Sequence, residues 1–240
     1  MRRAGVIAAR ELRAYFHSPI AYVFLLAFAG AALFNFFNLQ GFFSRGVADL
    51  RGLFDTVPLL LLLLVPALTM RLWSEEEKQG TLEILLTLPA QHRELVLGKF
   101  LASWCLLGVG LALTLGLPIT VSFLGPVDWG PVVGGYLGAL LLGAAYLAVG
   151  QFLSATTENQ LLAFLLTAVV CLALYGVGSD PFVSLFSDQA AALLRSLGTG
   201  SRFASIARGV IDLRDIVYYV ALTGFFLYLC VYSLQSKRAR

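Results

Sequence analysis

The sequence predicts an all-α, polytopic membrane protein with six transmembrane helices, and three observations lead to that prediction. Of the 240 residues, 59% are hydrophobic and only 13% are charged, whereas about a quarter of a soluble domain is charged. The charged residues are clustered, and the uncharged stretches between clusters reach the ~18 residues that cross a bilayer. Cys105, Cys171 and Cys230 all fall in apolar stretches, which favours small hydrophobic side chains over disulfides or metal ligands.

The six predicted spans belong to one transmembrane domain, over residues 1–240. They cover residues 20–39, 53–70, 100–124, 132–153, 159–178 and 216–235. The first span is too long for the apolar region of a signal peptide and follows a polar stretch, so we expect it to be retained. Pro58 and Pro66 fall in the second span, where either could kink the helix.

Six spans place both termini on one side of the membrane, and the basic residues indicate which side. Eleven Lys and Arg residues lie near the terminal side and six near the other. Four of those six fall in the longer segment between spans five and six, and long loops weigh little in the positive-inside rule. The sequence therefore predicts cytoplasmic N and C termini.

The residues before the first span predict an amphipathic helix over 3–17, ended by Ser18 and Pro19. Its arginines share one arc of the helix and its larger apolar residues lie opposite. The residues that define these two faces are Arg2, Arg3, Arg10 and Arg13, and Gly5, Ala8, Leu12, Tyr15 and Phe16. Such a helix lies at a membrane surface with its arginines toward anionic headgroups. A surface anchor without any specific partner explains this pattern equally well.

The loop between spans two and three predicts a helix that leaves the membrane through Lys78, a break at Gly80 and a second short helix. Thr81 is the expected N-cap of that helix and Pro89 its end, while Glu83 in its first turn suits the helix dipole. Leu82, Leu85 and Leu86 would form an apolar ridge. The ridge requires a partner surface or the lipid headgroups, and the residues alone leave both open.

The segment between spans five and six is too charged to cross the membrane and too apolar for a linker. It predicts short helices at the outer interface, separated at Gly198 and Gly200. Pairs of small residues in span four, Gly134 with Gly138 and Ala139 with Gly143, predict close helix packing. Polar residues in and near the spans are expected to hydrogen-bond between helices, namely Asn35, Asn38, Gln151, Asn159 and Gln160.

The spans lack Asp, Glu, Lys, Arg and His away from their ends, which argues against an ion-coupled transporter. His17 and His92, the two histidines, lie near span ends without a nucleophile arrangement, which argues against an intramembrane hydrolase. The sequence also lacks a Gly-rich phosphate loop ending in Lys-Ser or Lys-Thr. We therefore expect a subunit with neither a catalytic nor a metal site, whose energy comes from another protein.

Five short strings, in a fixed order relative to the spans, resemble the type-2 ATP-binding-cassette (ABC-2) export permeases. They are Val65-Pro-Ala-Leu-Thr-Met-Arg71, Glu75-Glu76-Glu77, Gly80-Thr81-Leu82-Glu83, Leu86-Thr-Leu-Pro89 and Val96-Leu-Gly-Lys99. Within that family the chain is most similar to permeases of gliding-motility transport systems. Three further strings carry that likeness, namely His17-Ser-Pro-Ile-Ala-Tyr22, Asn159-Gln160 and Arg208-Gly-Val-Ile-Asp-Leu-Arg-Asp215.

The resemblance implies roles for the predicted elements. Residues 3–17 would be the elbow helix, with Arg3, Arg10, Arg13, Leu12 and Phe16 at the membrane surface. Residues 81–88 would be the coupling helix that meets an ATPase, and helices within 180–214 would form an outer gate. The implied coupling residues are Arg71, Glu75, Glu76, Gly80, Thr81, Leu82, Glu83, Leu85, Leu86 and Pro89. Which of Glu75, Glu76 and Glu77 is the functional acid stays open.

The resemblance also implies partners and a location. This chain would bind no cofactor, and ATP and Mg²⁺ would sit on a dimer of partner ATPases. A second permease, identical or related, and the bilayer of the bacterial inner membrane would complete the complex. Gliding-type systems add a large membrane-anchored auxiliary protein. A nucleic-acid partner is not expected.

The function implied is outward transport of an unidentified substrate by alternating access, driven by the separate ATPase. The alternative is a mechanotransmission subunit that transports nothing and passes force from the ATPase to a periplasmic or surface partner. A membrane scaffold without any ATPase is a third interpretation.

Overall fold

The computed structural model describes residues 2–45, 49–82 and 91–238, and every regular element in these ranges is a helix. The predicted all-α class is confirmed for this part of the chain. A π-helical turn, Asn35–Leu39, extends the second helix. In chain order the helices are α1 (Arg2–His17), α2 (Pro19–Phe34), α3 (Phe42–Arg45), α4 (Arg51–Thr69), α5 (Ser74–Lys78), α6 (His92–Leu113), α7 (Gly116–Leu124), α8 (Trp129–Ser154), α9 (Gln160–Gly176), α10 (Asp180–Val183), α11 (Asp188–Leu197), α12 (Thr199–Ala207) and α13 (Leu213–Arg238).

Within the described ranges, five helical stretches are long and apolar enough to cross a membrane. They are Ala21–Leu39, Arg51–Lys78, His92–Leu124, Trp129–Ser154 and Leu213–Lys237, and they coincide with predicted spans one, two, three, four and six. The fifth predicted span forms α9, an apolar helix of 17 residues. At 1.5 Å per residue α9 is about 26 Å long, somewhat less than a hydrocarbon core of about 30 Å. The crossing by α9 therefore stays a prediction.

Helix α8 lies at the centre of the fold. It packs against α4, α6, α9, α12 and α13. In its most apolar stretch, 72% of the residues are buried, whereas the corresponding share is 22% in the first span and 17% in the last. A Cβ at Gly143 would lie 2.1 Å from Leu107 Cδ2, and one at Gly150 would lie 2.1 Å from the Thr69 hydroxyl. The missing side chains let α6 and α4 approach α8 closely, as small residues do in membrane helices.

The third span is longer than predicted and is broken in the middle. Its helix begins at His92 rather than near residue 100, and a turn at Thr114 and Leu115 separates α6 from α7. Pro118 explains the break, because it has no amide hydrogen to donate to the carbonyl of Thr114. The carbonyl of Thr114 accepts instead from the amide of Leu117 at 3.0 Å. The Thr114 hydroxyl donates to the carbonyl of Leu111 at 2.7 Å and bonds with the hydroxyl of Tyr136 at 3.0 Å.

Of the helices between α9 and α13, α12 contacts the central helix α8. Helix α12 is packed into the bundle, because Phe203 and Ile206 are buried against α8. A Cβ at Gly134 would lie 2.2 Å from the carbonyl oxygen of Ile206. The predicted break at Gly198 is present between α11 and α12, but the predicted break at Gly200 is wrong. Gly200 lies inside α12, where its missing side chain admits the Tyr175 ring.

Helix α1 packs along the start of α6 rather than lying only on a surface. A Cβ at Gly98 would lie 2.5 Å from Ile7 Cγ2, so the two helices are in close contact. The buried side of α1 follows Ala4, Ile7 and Tyr15, and Gly5 is exposed. Ala8, Leu12 and Phe16 of the predicted apolar face are half-buried beside them. The inward face therefore keeps four of the five predicted residues and extends to Ala4 and Ile7, because α6 offers a partner that the helix pattern alone does not reveal.

The predicted polar contacts between helices have mixed outcomes. Thr56 donates its hydroxyl to the Asn35 side-chain oxygen at 2.7 Å, and the Gln151 amide donates to the carbonyl of Val96 at 3.0 Å. Both predictions are confirmed. The interhelical role predicted for Asn159 is wrong, since its side chain accepts from the amide of Leu161 and caps α9.

Candidate functional site

A tight turn over residues 70–73 joins α4 to α5, and Ser154 in the last turn of α8 fixes it. The amides of Trp73 and Ser74 donate to the Ser154 hydroxyl oxygen at 3.1 and 3.2 Å. The same hydroxyl donates to the carbonyl of Met70 at 3.2 Å. The helix predicted to run through Lys78 is therefore interrupted, and the end of α8 sets the direction in which α5 leaves the bundle.

Helix α5 carries the three consecutive glutamates, and the structure gives each a different partner. Glu75 accepts from the Gln79 side-chain amide at 3.3 Å on an exposed surface. Glu76 pairs with Lys99 of α6 at 2.7 Å. Glu77 pairs with Lys237 near the end of α13. One short helix is thus tied by adjacent residues to two different transmembrane helices.

Four residues form a compact charged group, which we call the Lys99 cluster: Glu11, Trp73, Glu76 and Lys99. The Lys99 side chain is only 5% exposed, and its ammonium lies 3.7 Å from Glu11 as well as 2.7 Å from Glu76. It also lies 5.1 Å from the centre of the Trp73 ring, within the range of a cation–π contact. A buried ammonium requires such compensation, because removal from water is costly for a charge. The cluster joins α1, α5 and α6.

Tyr15 supports the Lys99 cluster from α1. Its hydroxyl hydrogen-bonds with the Ser103 hydroxyl of α6 at 2.9 Å. Burial is the main cause that raises the pKa of the Tyr15 phenol, and the nearby carboxylates of Glu11 and Glu76 raise it further, against the opposing effect of the Ser103 hydrogen bond. The phenol therefore stays neutral, and it adds a second polar link between α1 and α6 one turn from the ion pair.

The end of α13 reaches the same site. Besides Lys237, the thiol of Cys230 contacts the carbonyl of Gln151 at 3.7 Å, and the Ser233 hydroxyl donates to the carbonyl of Ala155 at 3.4 Å. Leu234 is fully buried in an apolar group around Trp73. Helix α5 therefore lies where α1, α6, α8 and α13 all end or begin.

The residues after α5 fit the predicted break only in part. Gly80 has φ +71°, a left-handed conformation that suits glycine, so the break at Gly80 is confirmed. Thr81 is helical, and its hydroxyl donates to the carbonyl of Glu76 at 3.2 Å. The predicted N-cap role of Thr81 is therefore wrong. Leu82 is buried within the chain rather than free for a partner.

Four predicted coupling residues lie outside the described residues, and so does most of the predicted coupling helix. They are Glu83, Leu85, Leu86 and Pro89. Beyond them, Gln91 and Glu94 form a capping box that starts α6. The chain is thus fixed on both sides of the segment that would contain the coupling helix, by the burial of Leu82 before it and by the Gln91–Glu94 capping box after it.

Arg71 and the predicted elbow residues are placed apart from the Lys99 cluster. Arg71 is exposed, forms no ion pair within the described part of the chain, and lines a groove between α2 and α4. Arg10 is exposed beside Glu11 at 3.2 Å, and Arg13 is exposed. Leu12 and Phe16 are half-buried against the main core. The side chain of Arg3 lies outside the described residues.

Sequence reasoning missed the residues that hold α5 in place, above all Glu11, Lys99, Ser154 and Lys237. Glu11 offered a signal, because it lies between Ile7 and Tyr15 on one face of a helix, where a charge requires a partner. Lys99 offered another, since it directly precedes the predicted third span. Ser154 offered none, because any serine at a helix end can bond to local backbone.

The contacts around α5 connect it to four other helices. Among the described residues, no group of three or more His, Cys, Asp or Glu side chains is placed to hold a metal ion. The ion pairs of Glu76 and Glu77 and the hydrogen bonds of Ser154 connect α5 and the turn before it to α1, α6, α8 and α13. A displacement of α5 would therefore be passed to four other helices through ion pairs and hydrogen bonds.

Comparison with known families decides the class. Residues 33–193, two thirds of the chain, match the family described as ABC-2 family transporter protein. The chain belongs to the ABC-2 transporter family. This ABC-2 protein is therefore a multi-pass membrane component of a transporter, in agreement with the resemblance drawn from the short strings. No curated protein matches the ABC-2 chain.

Proposed function

We propose that this ABC-2 protein is the permease subunit of an ATP-driven exporter. We propose further that the conformational change of a separate ATPase is transmitted to it through α5 and the residues after α5. The observation that carries the proposal is the anchoring of α5 at one end of the bundle to α1, α6, α8 and α13. The residues that make these links are Glu11, Glu76, Glu77, Lys99, Ser154 and Lys237. An element that only covers a membrane surface has no need of these partly buried ion pairs.

The ATPase would contact residues 81–88, proposed as the coupling helix, and displace them when it changes conformation. Gly80 gives this segment a fixed change of direction, and Leu82 fastens its start to the apolar group around Trp73. A push on the segment would move α5 as a unit, and the attached helices would shift the permease between inward-open and outward-open states. Of the three consecutive glutamates, Glu76 and Glu77 are our candidates for the functional acid, since both pair with lysines of other helices.

The finer features of the complex are also part of the proposal. The chain would cross the bacterial inner membrane six times, with both termini in the cytoplasm, and pair with an identical or related permease. ATP and Mg²⁺ would be bound by the partner ATPases. Membership of the gliding-type systems, with a large membrane-anchored auxiliary protein, is supported by the three strings quoted above. The cargo would leave past the helices that we propose as the outer gate, α11 and α12.

The test is ATP hydrolysis by the partner ATPase, reconstituted with variants of this chain. Proline cannot adopt the positive φ of Gly80, so Gly80→Pro is expected to leave membrane insertion intact and abolish stimulation of hydrolysis. Leu85→Glu, in the proposed coupling helix, is expected to do the same. Asparagine tolerates positive φ, and Gly80→Asn is the matched control that should retain stimulation. Normal stimulation by Gly80→Pro would show that coupling runs elsewhere.

A further inference from the structure

We infer that the groove between α2 and α4 binds one acyl chain of an anionic phospholipid from the surrounding bilayer, with Arg71 on its phosphate. The groove has a volume of about 370 Å³. Its walls are two facing stripes of mostly apolar residues, each spaced by about one helical turn. The residues that define the stripes are Pro19, Val23 and Ala27 on α2, and Leu64, Ala67 and Arg71 along and just beyond α4.

The depth of the groove fits one leaflet. Leu64 and Arg71 are seven residues apart, which corresponds to about 10 Å along a helix, and half of a hydrocarbon core is about 15 Å. Arg71 lies at the end of α4 from which the chain leaves the bundle, so the charged end of the groove is at headgroup level. Val23 is 65% exposed, which leaves the side of the groove open to lipid. Two alanines, Ala27 and Ala67, create the space between the helices.

Charge selects the lipid class. Arg71 is the one charged residue among the described residues that line the groove. A guanidinium binds phosphate through paired hydrogen bonds, and basic pockets between transmembrane helices recognise anionic headgroups. A zwitterionic lipid would bring a second, positive charge to the same place. The binding itself does not depend on the proposed function. The proposed function adds only that the α5 end of the bundle faces the cytoplasm, which would place Arg71 and the groove in the cytoplasmic leaflet.

Native mass spectrometry of the purified full-length chain can test the inference. The probes are phosphatidylglycerol and phosphatidylcholine with identical acyl chains. We expect one phosphatidylglycerol to bind about fivefold more tightly than phosphatidylcholine, the difference typical of one basic residue near anionic headgroups. Arg71→Gln should remove that preference. Ala27→Phe should fill the groove and abolish binding of both lipids at this site.

Two matched controls lie away from the groove. Arg214→Gln changes an exposed arginine at the start of α13, and Ala173→Phe changes an exposed alanine of α9, so both should bind lipid as the wild type does. An unchanged preference in Arg71→Gln, or unchanged lipid binding in Ala27→Phe, would overturn the inference. So would a shift of Ala27→Phe from dimer to monomer at constant lipid count, because the groove would then hold a second copy. The assay contains no ATPase, so its result is independent of the coupling test.

Discussion

At the scale of single residues, Lys99 stands out because it is a charged side chain that is only 5% exposed. Its ammonium is almost completely removed from water, and the two carboxylates beside it come from helices far apart in sequence. A charge buried this far is tolerated only while its partners remain, since loss of one partner leaves an uncompensated charge. The cluster therefore fixes α1, α5 and α6 in one arrangement more strictly than apolar contacts would.

Replacement of the lysine tests this dependence. Lys99→Met leaves Glu11 and Glu76 close together without their cation, and we expect a loss of about 3 kcal/mol in stability. Lys99→Met combined with Glu76→Gln should recover most of that loss, because only one carboxylate then remains charged. Lys78→Met, at an exposed lysine of α5, is the control and should change stability by less than about 0.5 kcal/mol. Thermal unfolding in detergent, followed by tryptophan fluorescence, measures all three; equal midpoints for Lys99→Met and Lys78→Met would contradict the argument.

The Glu77–Lys237 ion pair predicts that these two positions need opposite charges, whichever position carries the positive one. Glu77→Lys places two cations together at the junction of α5 and α13, and we expect it to lower stability by about 1–3 kcal/mol and to reduce stimulation of the partner ATPase. The double reversal, Glu77→Lys with Lys237→Glu, should restore both. Glu75→Lys is a suitable comparison, since Gln79 of its own segment is the one hydrogen-bond partner of the Glu75 carboxylate among the described residues. Failure of the double reversal to recover stimulation would mean that the pair plays no part in coupling.

At the scale of elements, close approach to α8 decides which helices can move independently. Helices α4, α6 and α12 meet glycines of α8 at distances that leave no room for a methyl group. Such surfaces have little tolerance for sliding, because packed interfaces resist continuous deformation. In contrast, few residues of α2 and α13 are fully buried, 22% and 17% in the apolar stretches of the first and last spans. We infer that α8 with α4, α6 and α12 moves as one body.

Substitution of Gly134 in α8 tests how tightly α12 packs against that helix. A Cβ there would meet the backbone carbonyl of Ile206 at 2.2 Å, and a backbone atom cannot turn aside as a side chain can. Gly134→Ala is therefore expected to lower stability by about 1–3 kcal/mol. Gly224→Ala is the matched control in α13, where no atom lies within 4 Å of the added Cβ; it should be neutral or stabilising by up to about 1 kcal/mol. Similar unfolding midpoints for the two variants would show that α12 is loosely held.

The elements were far easier to predict from the sequence than the contacts between them. Long apolar stretches determine where helices lie. Gly80 was found because a left-handed turn favours glycine, and Gly198 because glycine is common where helices are interrupted. The partners of Glu76 and Glu77 could not be predicted, since they depend on which helix ends meet in space. The turn at Thr114 was missed because a proline four residues later acts at a distance along the chain.

At the scale of the whole molecule, two separate groups of ion pairs and hydrogen bonds connect the helices. One end has the Lys99 cluster and the Glu77–Lys237 pair. Around α12, the hydroxyls of Tyr146 and Tyr219 bond to Thr199 at 3.1 and 2.7 Å. Arg202 pairs there with Asp215 at 2.6 Å. Polar contacts between helices are therefore not confined to the end of the bundle that carries α5, and α12 is held by its own hydrogen bonds to α8 and α13.

The last prediction concerns how many times the chain crosses the membrane, which depends on α9. If this short helix crosses, the loops at its two ends lie on opposite sides. In a variant whose native cysteines are replaced, Glu158→Cys should be inaccessible to a membrane-impermeant maleimide in intact cells, and Ser184→Cys should be labelled. Both side chains are exposed on the folded chain, so any difference in labelling reports the side of the membrane. Permeabilised cells should label both positions equally. Labelling of both sites in intact cells, or of neither, would place α9 along one surface and leave five spans, with the termini on opposite sides.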